Sequence, residues 1–197
     1  MPQNTYLERE TSGEIVTSGR VTPGDLLVPA EDDLAALGWY ALSVRVRYEK
    51  LVARHLAYEG VKYFLPLYRS VRRWKDRRKE LDLALFPGYV FVSLKVGDRS
   101  RVLRAPGVLQ FVTFQSRPAA VPGSDIRALQ SSFAAGLRPQ PHPYLCQGHR
   151  VRVKRGVLAG TEGIMIRRKE GFRLVLSIDL IMRSVMLEVD EADVEPI

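Results

Sequence analysis

The sequence predicts an α+β protein, an antiparallel sheet flanked by helices, followed by a small all-β barrel. Three observations predict it. Apolar periodicity over residues 39–135 alternates between strand and helix in the order β-α-β-β-β-β-α. Prolines at positions 139, 141 and 143 then interrupt the pattern with few apolar neighbours. The last fifty residues read as short strands between glycine-rich turns.

The chain divides accordingly. Residues 1–38 read as a flexible acidic extension with Gly13, Gly19, Pro23, Gly24 and Pro29 scattered through it. Its apolar groups, Ile15-Val16 and Leu26-Leu27-Val28, are too short to organise a core. Residues 39–135 form the first domain, 136–147 a proline-containing linker and 148–197 the second domain. Alternate prolines favour an extended, semi-rigid tether, which places the boundary there.

Trp39-Tyr40-Ala41-Leu42-Ser43-Val44 is a strand by composition. Tyr48, Leu51, Val52, His55 and Leu56 then fall on one helix face, with Glu49, Lys50 and Arg54 away from it and Gly60 at the C′ position. His55 has no Cys, His or acidic partner at metal spacing and reads as a packed histidine. Val61 to Arg73 is extended, with Pro66 marking an edge or bulge. Residues 72–79 hold six basic side chains in eight around Trp74, a hairpin tip before the returning strand Lys79–Leu85. Such a tip is either a solvated turn with Trp74 folded on the sheet or a surface for phosphates and bases.

Leu85-Phe86-Pro87-Gly88-Tyr89-Val90-Phe91-Val92 is the stretch around which the rest is arranged. Val90, Phe91 and Val92 read as a buried strand. Pro87-Gly88 forms a rigid bend, so Phe86 and Tyr89 flank a corner. A core strand needs no such bend, whereas a protein-docking hot spot uses aromatic anchors of this kind. Pro106-Gly107 is a turn, and Val108 to Phe114 another strand. Ser124 reads as the N-cap of a second long helix with Ile126, Leu129 and Phe133 as its apolar stripe, ended by Gly136. In the barrel, Arg150–Lys154, Ile164–Ile166, Arg173–Ile178 and Val185–Val189 are the clear strands.

Composition narrows the function classes. The chain has 197 residues and a net charge of +8. That charge is unevenly spread: residues 1–38 hold 2 basic and 7 acidic side chains, residues 39–135 hold 18 and 7, and residues 136–197 hold 10 and 8. The middle segment is the part drawn to polyanions. No apolar run has membrane-spanning length, and no basic-then-apolar leader opens the chain. The lone Cys146 fits a reducing compartment, so the cytoplasm is expected. No paired-carboxylate setting and no glycine-rich phosphate loop is present. Cys146 and His149 lack an orienting third group, which argues against a nucleophilic hydrolase. No enzyme activity and no cofactor or metal is expected.

Trp39-Tyr40-Ala41-Leu42, the Leu85–Val92 stretch and Pro106-Gly107-Val108 together resemble the N-terminal (NGN) domain of the NusG family of transcription elongation factors. The second domain is similar to that family's KOW domain in Val151-Arg152-Val153, Gly156, the Ala159-Gly160-Thr161-Glu162-Gly163 turn and Arg183. Phe64-Leu65-Pro66-Leu67-Tyr68 and Trp74-Lys75-Asp76-Arg77 look like the specialised antitermination paralogues of the RfaH or UpxY kind. Val157 after Gly156, and Asp179-Leu180-Ile181-Met182 before Arg183, depart from the usual KOW pattern.

The resemblance implies a monomeric binding protein that rides on RNA polymerase and suppresses pausing or termination. Phe86, Tyr89, Phe91, Phe111 and Trp39 match positions in or near the family's patch for the polymerase clamp helices. The family's basic N-terminal face lies near upstream and non-template DNA, which here implies Arg45, Arg47, Lys50 and Arg54, with Arg72, Arg73, Trp74, Arg77 and Arg78 on the hairpin. The KOW residues Gly156, Gly160, Gly163 and Arg183 belong to a barrel that would recruit a ribosomal protein or termination factor. Because KOW barrels also occur in ribosomal proteins, an RNA-binding, ribosome-associated protein is the alternative.

Overall fold

The computed structural model describes residues 37–74, 77–145, 148–168 and 171–197. In chain order the elements of the first half are β1 Leu37–Val44, α1 Glu49–Tyr58, β2 Lys62–Phe64, β3 Leu67–Trp74, β4 Arg77–Ala84 and β5 Tyr89–Lys95. A single 3-10 turn leads into α2 Arg99–Leu103, then β6 Val108–Phe111, β7 Thr113–Phe114, β8 Arg117–Pro118, β9 Ala120–Val121 and α3 Gly123–Ala134. The second half is β10 Gln140–His142, β11 His149–Val153, β12 Glu162–Arg168, β13 Gly171–Ile178, β14 Arg183–Val189 and β15 Val194–Pro196.

The first sheet runs β2-β5-β1-β6, with β9 also paired to β1. All its pairings are antiparallel. Its register explains why β1 and β5 carry almost no polar residue. Side chains alternate across a strand, so Trp39, Ala41, Tyr89 and Phe91 share one face while Tyr40, Leu42, Val90 and Val92 share the other. Helix α1 covers the second face with Val52 and Leu56, joined there by Val102 of α2. Helix α3 covers the first face with Ile126 and Leu129. A sheet covered on both faces needs apolar residues on both.

The predicted hairpin is present as the separate two-stranded ribbon β3-β4, with Trp74 opposite Arg77. Its base is tied down where the Leu85 amide donates to the Pro66 carbonyl at 2.9 Å. Three details differ from the sequence reading. Strand β1 starts two residues earlier, at Leu37. The expected strand 108–114 ends at Phe111, and positive φ at Gln115 and Ser116 turns the chain into the small β7-β8 ribbon. Pro122, not Ser124, is the N-cap of α3, and Ser124 Oγ donates to the Asp125 carboxylate inside the first turn.

The second sheet is six-stranded, in the order β10-β14-β13-β12-β11-β15, every pair antiparallel. Its first strand comes from the segment read as a tether. Gln140, Pro141 and His142 pair with Met186, Val185 and Ser184. The physical reason is the proline spacing itself: prolines at every second position put the missing N–H groups on one side of an edge strand, where no ladder bond is lost. Beyond β10 the chain stays attached. Ser177 Oγ donates to the Leu145 carbonyl at 2.7 Å, and the Leu145 amide donates to Ser184 Oγ at 3.1 Å. Tyr144 Oη donates to Asp179 at 3.0 Å.

One apolar cluster joins the halves. It holds Ala41, Phe86 and Phe91 of the first sheet, Ile126 and Leu129 of α3, and Leu174, Leu176, Val185 and Leu187 of the second sheet. Helix α3 is the shared layer. Phe133 meets Phe64 edge-on at 6.3 Å, while Asp125, Ala128 and Leu129 line a small cavity with Glu162, Leu176, Ile178 and Val185.

Candidate functional site

Gly88 sits at φ +83 in the corner, a conformation that only glycine adopts without strain. Its carbonyl accepts the Val44 amide at 2.8 Å, and the Tyr89 amide closes on the Phe86 carbonyl at 3.1 Å. The Gly88 amide donates to Glu49 Oε1 at 2.8 Å. Glu49 is buried, contrary to its place on the expected outer face of the helix. At the first position of α1 its carboxylate also meets the positive end of the helix dipole, so burial there is compensated twice. Glu49 thus locks the corner to α1. Sequence reasoning missed it because periodicity assigns faces along a helix and says nothing of its end.

The five aromatics singled out by sequence do not form one patch. Phe86 and Phe91 are buried, stacked edge-on at 5.6 Å, and Phe64 continues the group at 6.4 Å from Phe91. Tyr89 and Trp39 are half-buried on that same face. The Lys62 ammonium stands 5.8 Å from the Trp39 ring centre. Phe111 is elsewhere. Paired with Leu42, it faces α1 and meets Tyr40 edge-on at 6.1 Å. Grouping Phe111 with Phe91 is therefore corrected by the register: they lie on opposite faces of the sheet.

The cations divide more simply. Arg45, Arg47, Lys50 and Arg54 are all exposed, on the β1-α1 turn and along α1. None makes an ion pair among the described residues. Arg99, Arg101 and Arg104 extend the same layer from α2, and the Arg101 guanidinium donates to the Glu59 carbonyl at the end of α1. Sequence reasoning did not select these three, although the charge of residues 95–104 pointed to them. On the ribbon, register puts Arg72 opposite Lys79 and Arg73 opposite Arg78, with Trp74 opposite Arg77 at the end. Lys75, Asp76 and Cys146 lie outside the described residues.

In the second sheet Gly156 and Gly160 occupy the turn between β11 and β12, both at positive φ. Gly163 is required for space: a Cβ there would come within 2.5 Å of the Val175 carbonyl oxygen. Arg183 opens β14 and is exposed, its guanidinium donating to the Met182 carbonyl at 3.1 Å. Among the described residues no group of three His, Cys, Asp or Glu is placed to hold a metal, and no helix is long and apolar enough to cross a membrane.

Comparison with known proteins places the chain among relatives. The family model described as transcription termination factor NusG matches residues 37–130. The transcription termination/antitermination protein NusG of Escherichia coli (strain K12) is 30% identical over 172 residues, covering 80% of this chain and 94% of the relative. The Yersinia pestis protein of the same name is 27% identical over the same extent. A solved structure described as "Domain interaction in Thermotoga maritima NusG" superposes with a TM-score of 0.51 at 18% identity, covering 83% of this chain and 99% of that one, a likeness of fold. With the family model spanning the aromatic corner and its flanking helices, and the match to the relative running on into the terminal sheet, the chain belongs to the NusG family of transcription termination/antitermination proteins.

Proposed function

We propose that this protein is a specialised member of its family that binds RNA polymerase through residues 39–135 and suppresses pausing or termination. The match to termination/antitermination proteins over nearly their whole length supports the transcription role, and the resemblance of Phe64-Leu65-Pro66-Leu67-Tyr68 and Trp74-Lys75-Asp76-Arg77 to specialised paralogues supports the specialised one. The work is binding, with no bond chemistry. Tighter association with the elongating conformation of polymerase than with the paused one shifts that equilibrium, tenfold for a preference of about 1.4 kcal/mol.

Within this reading the polymerase contact falls chiefly to Tyr89 and Trp39, because Phe86 and Phe91 are buried and serve to shape the corner. The cations of α1, the β1-α1 turn and the ribbon take upstream or non-template DNA. The six-stranded sheet, as the KOW domain, takes a ribosomal protein or termination factor. Truncating an aromatic anchor costs about 2 kcal/mol. Tyr89→Ala should therefore weaken polymerase binding at least about tenfold while the far-UV CD spectrum stays unchanged. An unchanged affinity with an intact fold would remove the corner from the interface. Mapping the protein along the genome tests the specialised role, since uniform occupancy of transcribed genes is the behaviour of a general factor.

A further inference from the structure

We propose that the acidic residues 1–36 of this chain dock on its own cationic α1-α2 face and compete there with nucleic acid. The inference rests on the reading of that face as a nucleic-acid interface, and adds the element that regulates it. Residues 1–36 carry seven acidic and two basic side chains. Residues 45–60 and 97–104, which supply α1, α2 and the turns around them, carry seven basic and three acidic ones. One of those three, Glu49, is buried on the Gly88 amide and adds little negative potential outside. The cations of the face have no carboxylate partners among the described residues. The face thus lacks a counter-charge that residues 1–36 carry.

Position favours their meeting. The described chain begins at Leu37, whose register partner is Lys95, just before the turn into α2. Residues 1–36 are therefore tethered at the border of the cationic layer. Thirty-six residues reach at most about 120 Å, against about 15 Å for the length of α1. Tethering of this kind gives a local concentration near the millimolar range, enough for a weak charge-driven contact. The face is also apolar between its cations, with Val46, Tyr48, Leu51 and Tyr58 exposed, Tyr58 to 87%. Ile15-Val16 and Leu26-Leu27-Val28 are the apolar groups that residues 1–36 can offer in return.

The test uses the full chain with its seven acidic residues amidated in place: Glu8→Gln, Glu10→Gln, Glu14→Gln, Asp25→Asn, Glu31→Gln, Asp32→Asn and Asp33→Asn. Binding of a labelled single-stranded DNA is compared with that of the unaltered chain across salt. The amidated chain should bind at least about tenfold more tightly near 50 mM salt, and the advantage should shrink below about twofold near 300 mM as screening sets in. A synthetic peptide of residues 1–36 should displace the DNA from the amidated chain, and the further changes Arg99→Glu and Arg104→Glu should abolish capture of that peptide. Equal DNA affinity of the two chains at low salt overturns the docking and leaves the nucleic-acid reading intact. If neither chain binds DNA but the peptide is captured in a charge-dependent way, the docking stands and the nucleic-acid reading falls.

Discussion

The two halves of the molecule treat their charges differently. In the second sheet, Arg152 pairs with Glu162 and Arg173 with Glu188, both at 2.7 Å, and Arg155 lies 3.4 Å from Asp193. In the first half Arg69 of the ribbon lies 3.3 Å from Glu80 and 3.8 Å from Asp82, but the cations of α1 and its leading turn have no such partner among the described residues. The polar groups of the linker follow the same division, being bonded to Ser177, Ser184 and Asp179 of the second half. The contrast is therefore between the α1 layer and the paired arginines of the second sheet, and under the proposed function it is the α1 layer that meets a polyanion. Net charge alone makes the same distinction less sharply, because a paired arginine counts as much in a sum as a free one.

The most severe challenge to that contrast is to ask whether the halves are separate at all. Phe91 is fully buried within a cluster that also contains Leu174 and Leu187 of the second sheet. Phe91→Ala should destabilise the protein by about 3–5 kcal/mol, the usual cost of such a cavity. If the cluster is one cooperative unit, calorimetry should show a single transition moving down as a whole. Two transitions, with only the first displaced, would mean that the halves are packed together but fold independently.

The corner offers a second, smaller perturbation. Glu49→Ala removes the acceptor of the buried Gly88 amide, at a cost of about 1–3 kcal/mol. If the corner docks polymerase as proposed, affinity for polymerase should fall along with stability, because the corner hangs on that bond. Glu49→Gln keeps an acceptor oxygen and should recover most of both. A Glu49→Ala protein with full affinity would show that α1 does not set the corner.

Much of this was legible in the sequence, and the exceptions share a cause. Strong periodicity located α1, α3, the ribbon and four strands of the second sheet, β11 to β14, because burial on one face or two writes itself into spacing, whereas the three residues of β15 are too few to show a pattern. Three things were not visible. Glu49 is buried by a partner 39 residues away. Phe111 looks like Phe91 in composition, and only the register with Leu42 separates them. The proline segment has tether composition, yet an edge strand tolerates prolines at alternate positions. Each depends on contacts between distant parts of the chain, which local pattern does not carry.

Paired substitutions in each half test the charge difference directly. Arg45→Ala with Arg47→Ala, or Lys50→Ala with Arg54→Ala, should lower the salt slope of DNA binding by about 0.7–0.9 for each phosphate no longer neutralised. Arg155→Ala, on an exposed pair in the second half, should leave that slope unchanged and alter stability by about 1 kcal/mol or less. Equal slope changes on both sides would mean that pairing does not decide which cations meet DNA.

A subtler measurement asks whether the linker belongs to the second sheet. Ser177 Oγ and Ser184 Oγ lie 2.7 Å apart and together hold both backbone groups of Leu145. Since the Ser177 hydroxyl proton goes to the Leu145 carbonyl, Ser184 donates to Ser177 and accepts the Leu145 amide. The two serines are therefore not equivalent. Ser177→Ala frees a half-buried carbonyl that water can reach, and should cost about 1 kcal/mol while the Leu145 amide keeps its acceptor. Ser184 is buried, so Ser184→Ala strands the amide itself and should cost more. Hydrogen exchange at Leu145 separates the cases: protection should survive Ser177→Ala and be lost in Ser184→Ala. An amide that exchanges freely in the unaltered protein would return residues 136–147 to the tether that their proline spacing suggests, and leave the second sheet with its β14 edge open.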